Sequence, residues 1–186
     1  MHSRKKETEA IVLDFLPNGY PFDSRPSHMK TAIAQAIGKE NFTLLELVPK
    51  KGIFLQPYED VYIGEAKRDK VHHINGKIDV DKLTQTAKSE LEHAVKQMVT
   101  THEKRFVEFF NNAQPLSTRM HVIELLPGVG KKHMWEIIEE RREEPFLSFD
   151  DVKKRVKLMP DPAKVIIRRI MLELLGTEKH LLFVDR

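Results

Sequence analysis

The pattern of apolar and polar residues predicts β-strands over the first 80 residues. The segment EAIVLDFL at residues 9–16 alternates apolar and polar positions, and the turn cluster PNG follows at residues 17–19. Its apolar face carries Ile11, Leu13 and Phe15. Two further β-rich segments lie at residues 41–52 and 60–66, whereas TAIAQAIG at residues 31–38 fits either a strand or a short helix.

The segment KVHHINGKIDV at residues 70–80 contains the pair Asn75-Gly76. Both residue types adopt positive φ readily, so the pair predicts a two-residue hairpin turn. Five short strands separated by turn residues predict a small closed sheet, and an OB-type barrel is one such arrangement. We therefore assign residues 1–80 to an OB-like β-barrel.

The apolar period changes to three and four residues after Asp81, which predicts amphipathic helix. We interpret the region as two consecutive helices, the second containing Phe106 to Phe110, although one long bent helix fits the same pattern. Gln114-Pro115 ends this stretch because proline cannot continue a helix. Residues 81–115 are thus predicted to be connecting helices.

Residues 116–186 contain helical segments separated by strong breakers, which predicts an all-α domain with a C-terminal strand or tail. A first helix, capped by Ser117 or Thr118, is predicted to run to Leu126. The breaker PGVG follows, and a second helix is predicted at about residues 131–142.

The rest of the chain also alternates helical segments with breakers. Ser148 and Asp151 have the spacing of a capping box that begins a short helix. Asp161 as N-cap and Pro162 at the first helical position predict a last helix, which Gly176 ends. The complete fold prediction is α+β, a small OB-like barrel followed by the helical domain.

Composition excludes several classes of protein. Apolar residues make up 40% of the chain and charged residues 32%, and no apolar run is long enough to span a bilayer, so we expect a globular cytoplasmic protein without a membrane segment. The N-terminal residues MHSRKKETEA lack the apolar core of a secretory signal. The absence of cysteine excludes disulfides, thiolate nucleophiles and cysteine-bound zinc. The net charge of +3 does not by itself indicate a partner.

The stretch LLPGVGKK at residues 125–132 predicts an anion site. Pro127 ends one helix, and Gly128 and Gly130 allow backbone angles or close approaches that a Cβ would obstruct. Main-chain N–H groups at the start of the next helix would then be available to a phosphate. Lys131 and Lys132 stand in the first turn, where positive charge is unfavourable unless an anion is bound.

The longer string LLPGVGKKHMWEIIEER at residues 125–141 resembles the helix-hairpin-helix motif. Such motifs hold nucleic-acid backbones through hairpin amides without reading the sequence. The resemblance implies that Gly128, Val129 and Gly130 form the hairpin, with Lys131 and Lys132 as supporting phosphate contacts. A tight turn with solvated lysines is the alternative.

Residues 142–170 resemble the linker helix and second hairpin of a tandem helix-hairpin-helix domain. MPDPA replaces the second Gly-x-Gly, and Asp161 would repel phosphate, so we interpret this hairpin as structural. The surrounding basic residues are candidates for a rim, although each also fits a solvated helix face: Lys153, Lys154, Arg155, Lys157, Lys164, Arg168 and Arg169.

Nearly the whole chain resembles an archaeal family of predicted nucleic-acid-binding proteins of unknown function, which pair an OB-like barrel with a helix-hairpin-helix domain. Residues 103–141 and 62–78 carry the resemblance. It implies binding of RNA or DNA without established catalysis, and we favour RNA.

An OB surface binds single strands by combining a basic groove with exposed aromatic rings. The candidate basic contacts are Lys50, Lys51, Lys67, Arg68, Lys70, His72 and His73. Phe54, Tyr58 and Tyr62 are candidate stacking residues, although Phe54 and Tyr62 also fit a core. Adjacent His72 and His73 are expected on opposite strand faces, where they cannot chelate one metal together.

Other functions receive less support from the residues. No HExxH, Walker loop or GxSxG elbow is present, so we predict no catalytic residue, metal or cofactor. Asp150 and Asp151 stand where glycosylases with this hairpin place an aspartate, yet SFDD lacks their Gly-Pro element and suits a helix cap. The alternatives are a protein–protein adaptor that uses the helical domain and a DNA-repair factor that binds DNA.

Overall fold

The computed structural model describes residues 6–186. Residues 1–5 lie outside the described residues. They belong to the predicted first domain and to the N-terminal segment that is predicted to lack a secretory signal. The strands are β1 (Glu9–Leu16), β2 (Ile33–Gly38), β3 (Leu44–Pro49), β4 (Asp60–Tyr62), β5 (Val71–Lys77), β6 (Pro115–Ser117) and β7 (Met120–His121). The α-helices are α1 (Gln85–Thr101), α2 (Glu103–Asn112), α3 (Lys131–Glu143), α4 (Phe149–Arg155) and α5 (Pro162–Leu175). Among residues 6–186, no helix has the length and apolar character required to cross a membrane.

The chain forms two compact units. One unit, which we call the β unit, comprises the described residues 6–95 together with Leu172–Arg186, and the other comprises Lys96–Met171. Hydrogen bonds explain why the C-terminal residues group with the β unit rather than with the helices: the Asp185 N–H donates to the Asn41 carbonyl oxygen at 2.9 Å.

The β unit contains a curled, antiparallel five-stranded sheet that forms a half-barrel, with the strand order β4-β1-β2-β3-β5. Three consecutive strands pair in order, and β4 returns to lie beside β1, which is a Greek-key arrangement. Small and branched apolar side chains fill the core of this sheet, including Ala10, Val12, Ala34, Leu47 and Val61. The strand prediction for residues 9–16 is confirmed, and residues 31–38 contain a strand rather than a helix.

The predicted hairpin turn at Asn75-Gly76 is wrong. Strand β5 continues through both residues and pairs with β3, where Glu46 opposes Gly76 and Leu47 opposes Ile74. Asn75 is therefore the extra residue of a β-bulge, and its amide donates a hydrogen bond to the Glu46 side chain. Because β5 pairs with β3 at these residues, Asn75-Gly76 forms a bulge instead of a turn.

Buried Gln35 on β2 connects the sheet to the start of α1. Its amide nitrogen donates to the Lys82 carbonyl oxygen at 2.9 Å, and its amide oxygen accepts from the Thr84 N–H at 2.8 Å. The Thr84 hydroxyl accepts from the Ala87 N–H at 3.0 Å and donates to Asp14 at 2.6 Å. Thr84 is therefore the N-cap of α1, and its position is determined by two strands. Two helices, α1 and α2, follow one another, as the pattern predicted.

The predicted helix from Ser117 or Thr118 to Leu126 is wrong. Residues 115–121 form the short β6–β7 hairpin, and only a single 3₁₀ turn follows, at Val122–Leu125. The Ser117 hydroxyl accepts from the Arg119 N–H at 3.2 Å, so it closes a turn rather than capping a helix. The His121 ring accepts from the Ile123 N–H and caps the 3₁₀ turn. Since an N-cap residue has extended backbone angles, the helical conformation begins only after His121.

The other helices of this unit begin as predicted. Helix α3 buries Met134, Ile137 and Ile138. The Ser148 hydroxyl caps α4 by accepting from the Asp151 N–H at 3.0 Å, while Asp151 accepts from the Leu147 N–H and not from Ser148. The Asp161 carboxyl group accepts from the Lys164 N–H at 3.1 Å at the start of α5. Both caps satisfy N–H groups that a helix start leaves without intrahelical partners.

The C-terminal residues form an extended tail held by one buried side chain. The two Glu173 side-chain oxygens accept from the N–H groups of Leu182, Phe183 and Val184 at 2.8–2.9 Å. Glu173 has no exposed surface. Three main-chain donors of an otherwise irregular segment are thereby satisfied by a single residue.

We expect Glu173→Gln to destabilise the protein by about 1.5–3 kcal/mol, because an amide cannot accept from all three N–H groups and a buried donor is left unsatisfied. Urea denaturation measures this free energy of unfolding, and limited proteolysis measures release of the tail. Glu92→Gln, on the exposed face of α1, is the matched control and should leave both unchanged. Equal stability of the two variants would contradict the role given to Glu173.

Candidate nucleic-acid interface

The PGVG segment forms a tight turn between the 3₁₀ turn and α3. Gly128 has a φ of +82°, a backbone conformation that residues with a Cβ rarely adopt. The Val129 N–H donates to the Leu126 carbonyl oxygen at 3.1 Å, and the Val129 side chain is buried. The prediction of an unpaired main-chain donor is therefore wrong for Val129, because its N–H closes the turn. Val129 contributes to the hairpin through its packing.

Gly130 is the N-cap of α3 and is exposed. A Cβ built at Gly130 would meet no atom within 4 Å, and its φ of −96° is open to any residue. Its N–H lies 3.4 Å from the Nδ1 atom of His133, which is a long hydrogen bond. Exposed Lys131 and Lys132 follow in the first turn of α3, whose N–H groups have no intrahelical acceptor.

The turn at residues 156–160, between α4 and α5, packs beside the PGVG turn. A Cβ at Gly128 would lie 3.6 Å from the Cγ atom of Pro160, which is ordinary van der Waals contact. Leu158 takes a positive φ of +55° in this second turn and is 88% exposed. A leucine in this conformation costs about 1–2 kcal/mol, so the turn without glycine is strained. Met159 beside it is buried in the same way as Val129.

Two members of the predicted basic rim are structural, contrary to the prediction. Arg169 is only 2% exposed, and its guanidinium donates to the Leu125 carbonyl oxygen at 2.8 Å. Arg155 lies over the Phe146 ring, donates to the Glu140 and Glu144 carbonyl oxygens, and contacts the Asp151 carboxyl group. The remaining rim candidates are exposed: Lys153, Lys154, Lys157, Lys164 and Arg168.

An open cleft of about 670 Å³ lies between the β6–β7 hairpin and α3, and we call it the α3 cleft. The residues that line it include Arg119, Met120, His121, Glu124, Lys131, Trp135, Ile138, Arg141 and Arg142. Only Lys131 of these was predicted as a site residue. The sequence contains a signal for the lining residues on α3. Lys131, Trp135, Ile138 and Arg142 recur at steps of four, three and four residues and so share one helix face.

His121 is a buried polar residue in the wall of the α3 cleft. Its Nδ1 atom accepts from the Ile123 N–H at 3.1 Å, so the neutral ring carries its proton on Nε2. Among the residues described, Nε2 has no hydrogen-bond partner. Burial, followed by the nearby charge of Arg141, lowers the pKa of the His121 ring below its ordinary value.

A second cleft, of about 680 Å³, lies in the β unit, and we call it the β cleft. It brings together predicted residues Lys50, Lys51, Phe54, His72 and His73. Lys30 and Phe15 also line it, and no acidic side chain among residues 6–186 does. Phe54 is 74% exposed and meets the edge of Phe15, so it is a surface ring rather than a core residue.

The expectation that His72 and His73 point to opposite faces is wrong. Val48 opposes His73 and Pro49 opposes Val71, so His72 is the extra residue of a second bulge in β5. A bulge interrupts the alternation of side chains, and the two Nδ1 atoms come within 2.8 Å. Within residues 6–186, no three His, Asp or Glu side chains are grouped so that they could hold a metal ion.

The other predicted contacts of the β unit do not line the β cleft. Lys70 pairs with Glu59, and the Arg68 Nε atom donates to the Gly64 carbonyl oxygen at 2.8 Å. Half-buried Tyr58 has a φ of +65° and contacts the His93 ring of α1 edge-on, with ring centroids 5.1 Å apart. Exposed Lys67 lies in the segment before β5. The predicted set is therefore divided, with only part of it on one surface.

A family model described as "Protein of unknown function (DUF655)" matches residues 6–185. The chain belongs to the DUF655 family. It is 44% identical over 183 residues to the uncharacterized protein MJ0038 of Methanocaldococcus jannaschii, a match that covers 97% of this chain and 81% of that protein. The crystal structure of Af1531 from Archaeoglobus fulgidus, from the same family, is also similar, with 45% identity and a TM-score of 0.85. That match covers 96% of this chain and all of the other.

These DUF655 matches confirm the predicted membership of a family of unknown function with archaeal members. Near-complete coverage of Af1531 indicates that the arrangement of strands and helices is shared along the chain. The assignment of the sheet as an OB barrel and of PGVG as a helix-hairpin-helix motif remains a prediction.

The lowered pKa of His121 leads to a prediction about stability and pH. Above the ordinary histidine pKa of about 6.5, the neutral ring is present in both folded and unfolded protein. As the pH falls below this value, His121 binds a proton in the unfolded chain more readily than in the folded protein. The free energy of unfolding therefore decreases. We expect the wild type to lose more unfolding free energy between about pH 7 and about pH 5 than His121→Asn, whose amide can still cap the 3₁₀ turn. Denaturation at several pH values measures this, and parallel losses in the two proteins would show that His121 does not titrate as described.

Proposed function

We propose that this protein binds the phosphate backbone of a nucleic acid at the hairpin formed by residues 127–130 and the first turn of α3. The observation that carries the proposal is the open space at Gly130. The fold does not need a glycine there for packing or for backbone conformation. A phosphate approaching the α3 N–H groups would, in contrast, benefit from the missing Cβ.

Charge supports the same site. Helix α3 has no acidic residue in its first turn and begins with Lys131 and Lys132. Positive side chains at a helix N-terminus are unfavourable by a few tenths of a kcal/mol. A bound anion would offset this cost, because it interacts favourably with both the lysines and the helix dipole. Main-chain donors, the helix dipole and two lysines would then act on one phosphate group together.

The β cleft is the proposed second contact. Its Lys30 and Lys51 side chains and its exposed Phe54 ring combine positive charge with an aromatic surface, as single-strand binding requires. The Greek-key order of the five strands supports the finer proposal of an OB-like barrel. We propose RNA as the preferred nucleic acid, and the binding experiments below use both RNA and DNA.

Gly130→Ala tests the hairpin. The new methyl group meets no protein atom within 4 Å, so we expect only the loss of about 0.5–1 kcal/mol of unfolding free energy that follows because alanine is a poorer N-cap than glycine. Affinity should fall about tenfold or more, because hydrogen bonds to a charged phosphate are obstructed. Fluorescence anisotropy with labelled RNA and DNA oligonucleotides measures the affinity. Gly76→Ala is the matched control, since a Cβ at Gly76 also meets no atom within 4 Å.

The outcomes separate the proposal from its alternative. Equal affinity of Gly130→Ala and Gly76→Ala would remove the hairpin from the binding site. If none of the oligonucleotides binds, the protein–protein adaptor becomes the better explanation of the exposed helical faces.

The salt dependence of binding provides an independent prediction. If about two to four phosphates are neutralised, the logarithm of the association constant should fall against the logarithm of salt concentration with a slope of about −2 to −4. Lys131→Ala and Lys132→Ala should each reduce the magnitude of this slope by about one. Lys96→Ala, at an exposed position of α1, is the control. A slope that does not change in the Lys131 and Lys132 variants would show that phosphate is bound elsewhere.

A further inference from the structure

The α3 cleft is continuous with the hairpin through one residue. Lys131 begins α3 next to Gly130, and Lys131 also lines the cleft. A nucleotide whose phosphate lies at the N-terminus of α3 would therefore have its sugar and base beside the cleft. No other part of the proposed function accounts for this space.

The ionisable side chains of the cleft favour a polyanionic ligand. Arg119, Lys131 and Arg142 all line it, and Arg141 also does so while donating to the Phe110 carbonyl oxygen. Glu124 is the one acidic side chain in the described lining of the cleft, and this carboxyl group already accepts from the His121 N–H at 2.9 Å. The described lining of the cleft therefore concentrates positive charge, with more basic than acidic side chains.

Apolar surface inside the cleft favours a planar ring. Trp135 is 58% exposed and Met120 is 42% exposed, although both are large apolar side chains that proteins usually bury more completely. Base stacking on tryptophan is a common way of binding an unpaired nucleotide, and it is tolerant of sequence. His121 lines the same wall, and its buried Nε2 atom has no hydrogen-bond partner among residues 6–186.

We propose that the α3 cleft receives one unpaired nucleobase, stacked on Trp135, from the strand whose phosphate is held at the hairpin. The ligand class is thus a nucleic acid that contains unpaired nucleotides, such as a single strand, a loop or a bulge. This inference rests on the proposed function, because the phosphate at α3 positions the base. It adds a contact to the base itself, which hairpin amides alone do not make.

Trp135 is the only tryptophan in the chain, so its fluorescence reports directly on the cleft. The wild-type protein is titrated with unpaired RNA and DNA oligonucleotides, with blunt duplexes of the same sequence, and with duplexes that carry one unpaired nucleotide. Binding is followed in parallel by anisotropy of a label on the nucleic acid. We expect quenching of Trp135 by the unpaired and bulged ligands and little change with blunt duplexes.

Variants separate stacking from general surface effects. Trp135→Ala should lower the affinity for unpaired ligands about tenfold, whereas Trp135→Phe retains an aromatic face and should keep most of it. Affinity for blunt duplexes should be similar in the wild type and both variants. Leu147→Ala removes a comparably exposed apolar side chain outside the cleft and should change neither affinity nor fluorescence.

The two proposals fail in distinguishable ways. Nucleic-acid binding that responds to Gly130→Ala but leaves Trp135 fluorescence and the Trp135→Ala affinity unchanged overturns the cleft proposal and leaves the hairpin proposal standing. Equal quenching by blunt and bulged duplexes also overturns it, because a paired base cannot enter the cleft. Absence of binding to every ligand overturns both.

Discussion

The candidate interface depends on the hydrogen bond from the Arg169 guanidinium to the Leu125 carbonyl oxygen. A buried guanidinium is costly unless its N–H groups find acceptors, so this contact fixes where α5 can lie relative to the residues that precede PGVG. Leu126 follows and accepts from Val129, whose side chain is buried in turn. A residue that comes much later in the chain therefore holds the segment that leads into the turn at Gly128.

The fold was predictable from the sequence where local signals and tertiary contacts agree. Helix α5 has an N-cap, a proline at its first position and a glycine after its end, and β1 has an alternating pattern followed by a turn. The predictions failed where a distant partner changed the meaning of a local signal. The pairing of β3 with β5 converts Asn75-Gly76 into a bulge, and the pairing of β6 with β7 replaces a helix that the apolar spacing favoured.

The candidate site was predictable only in part, for related reasons. The glycines and lysines of the hairpin are adjacent in sequence, so their chemistry is visible without a structure. The α3 cleft is not, because its other wall is the β6–β7 hairpin, a region whose pattern had predicted a helix. Because a helix was predicted there instead of a hairpin, no cleft was expected beside α3, and Trp135 was not singled out as a binding residue. Likewise, the charges of Arg155 and Arg169 did not indicate their structural roles, since half-buried Arg155 and buried Arg169 are held by carbonyl partners that are distant in the sequence.

The two hairpin glycines also differ in what a comparison of family members can reveal. At Gly128, backbone conformation alone favours glycine, so its presence in a relative reports mainly on the turn. At Gly130, a Cβ would meet no other atom, and serine, asparagine or aspartate would cap α3 at least as well as glycine. A glycine retained at that second position across divergent lineages would therefore record selection for whatever approaches the backbone from outside, separately from selection for folding.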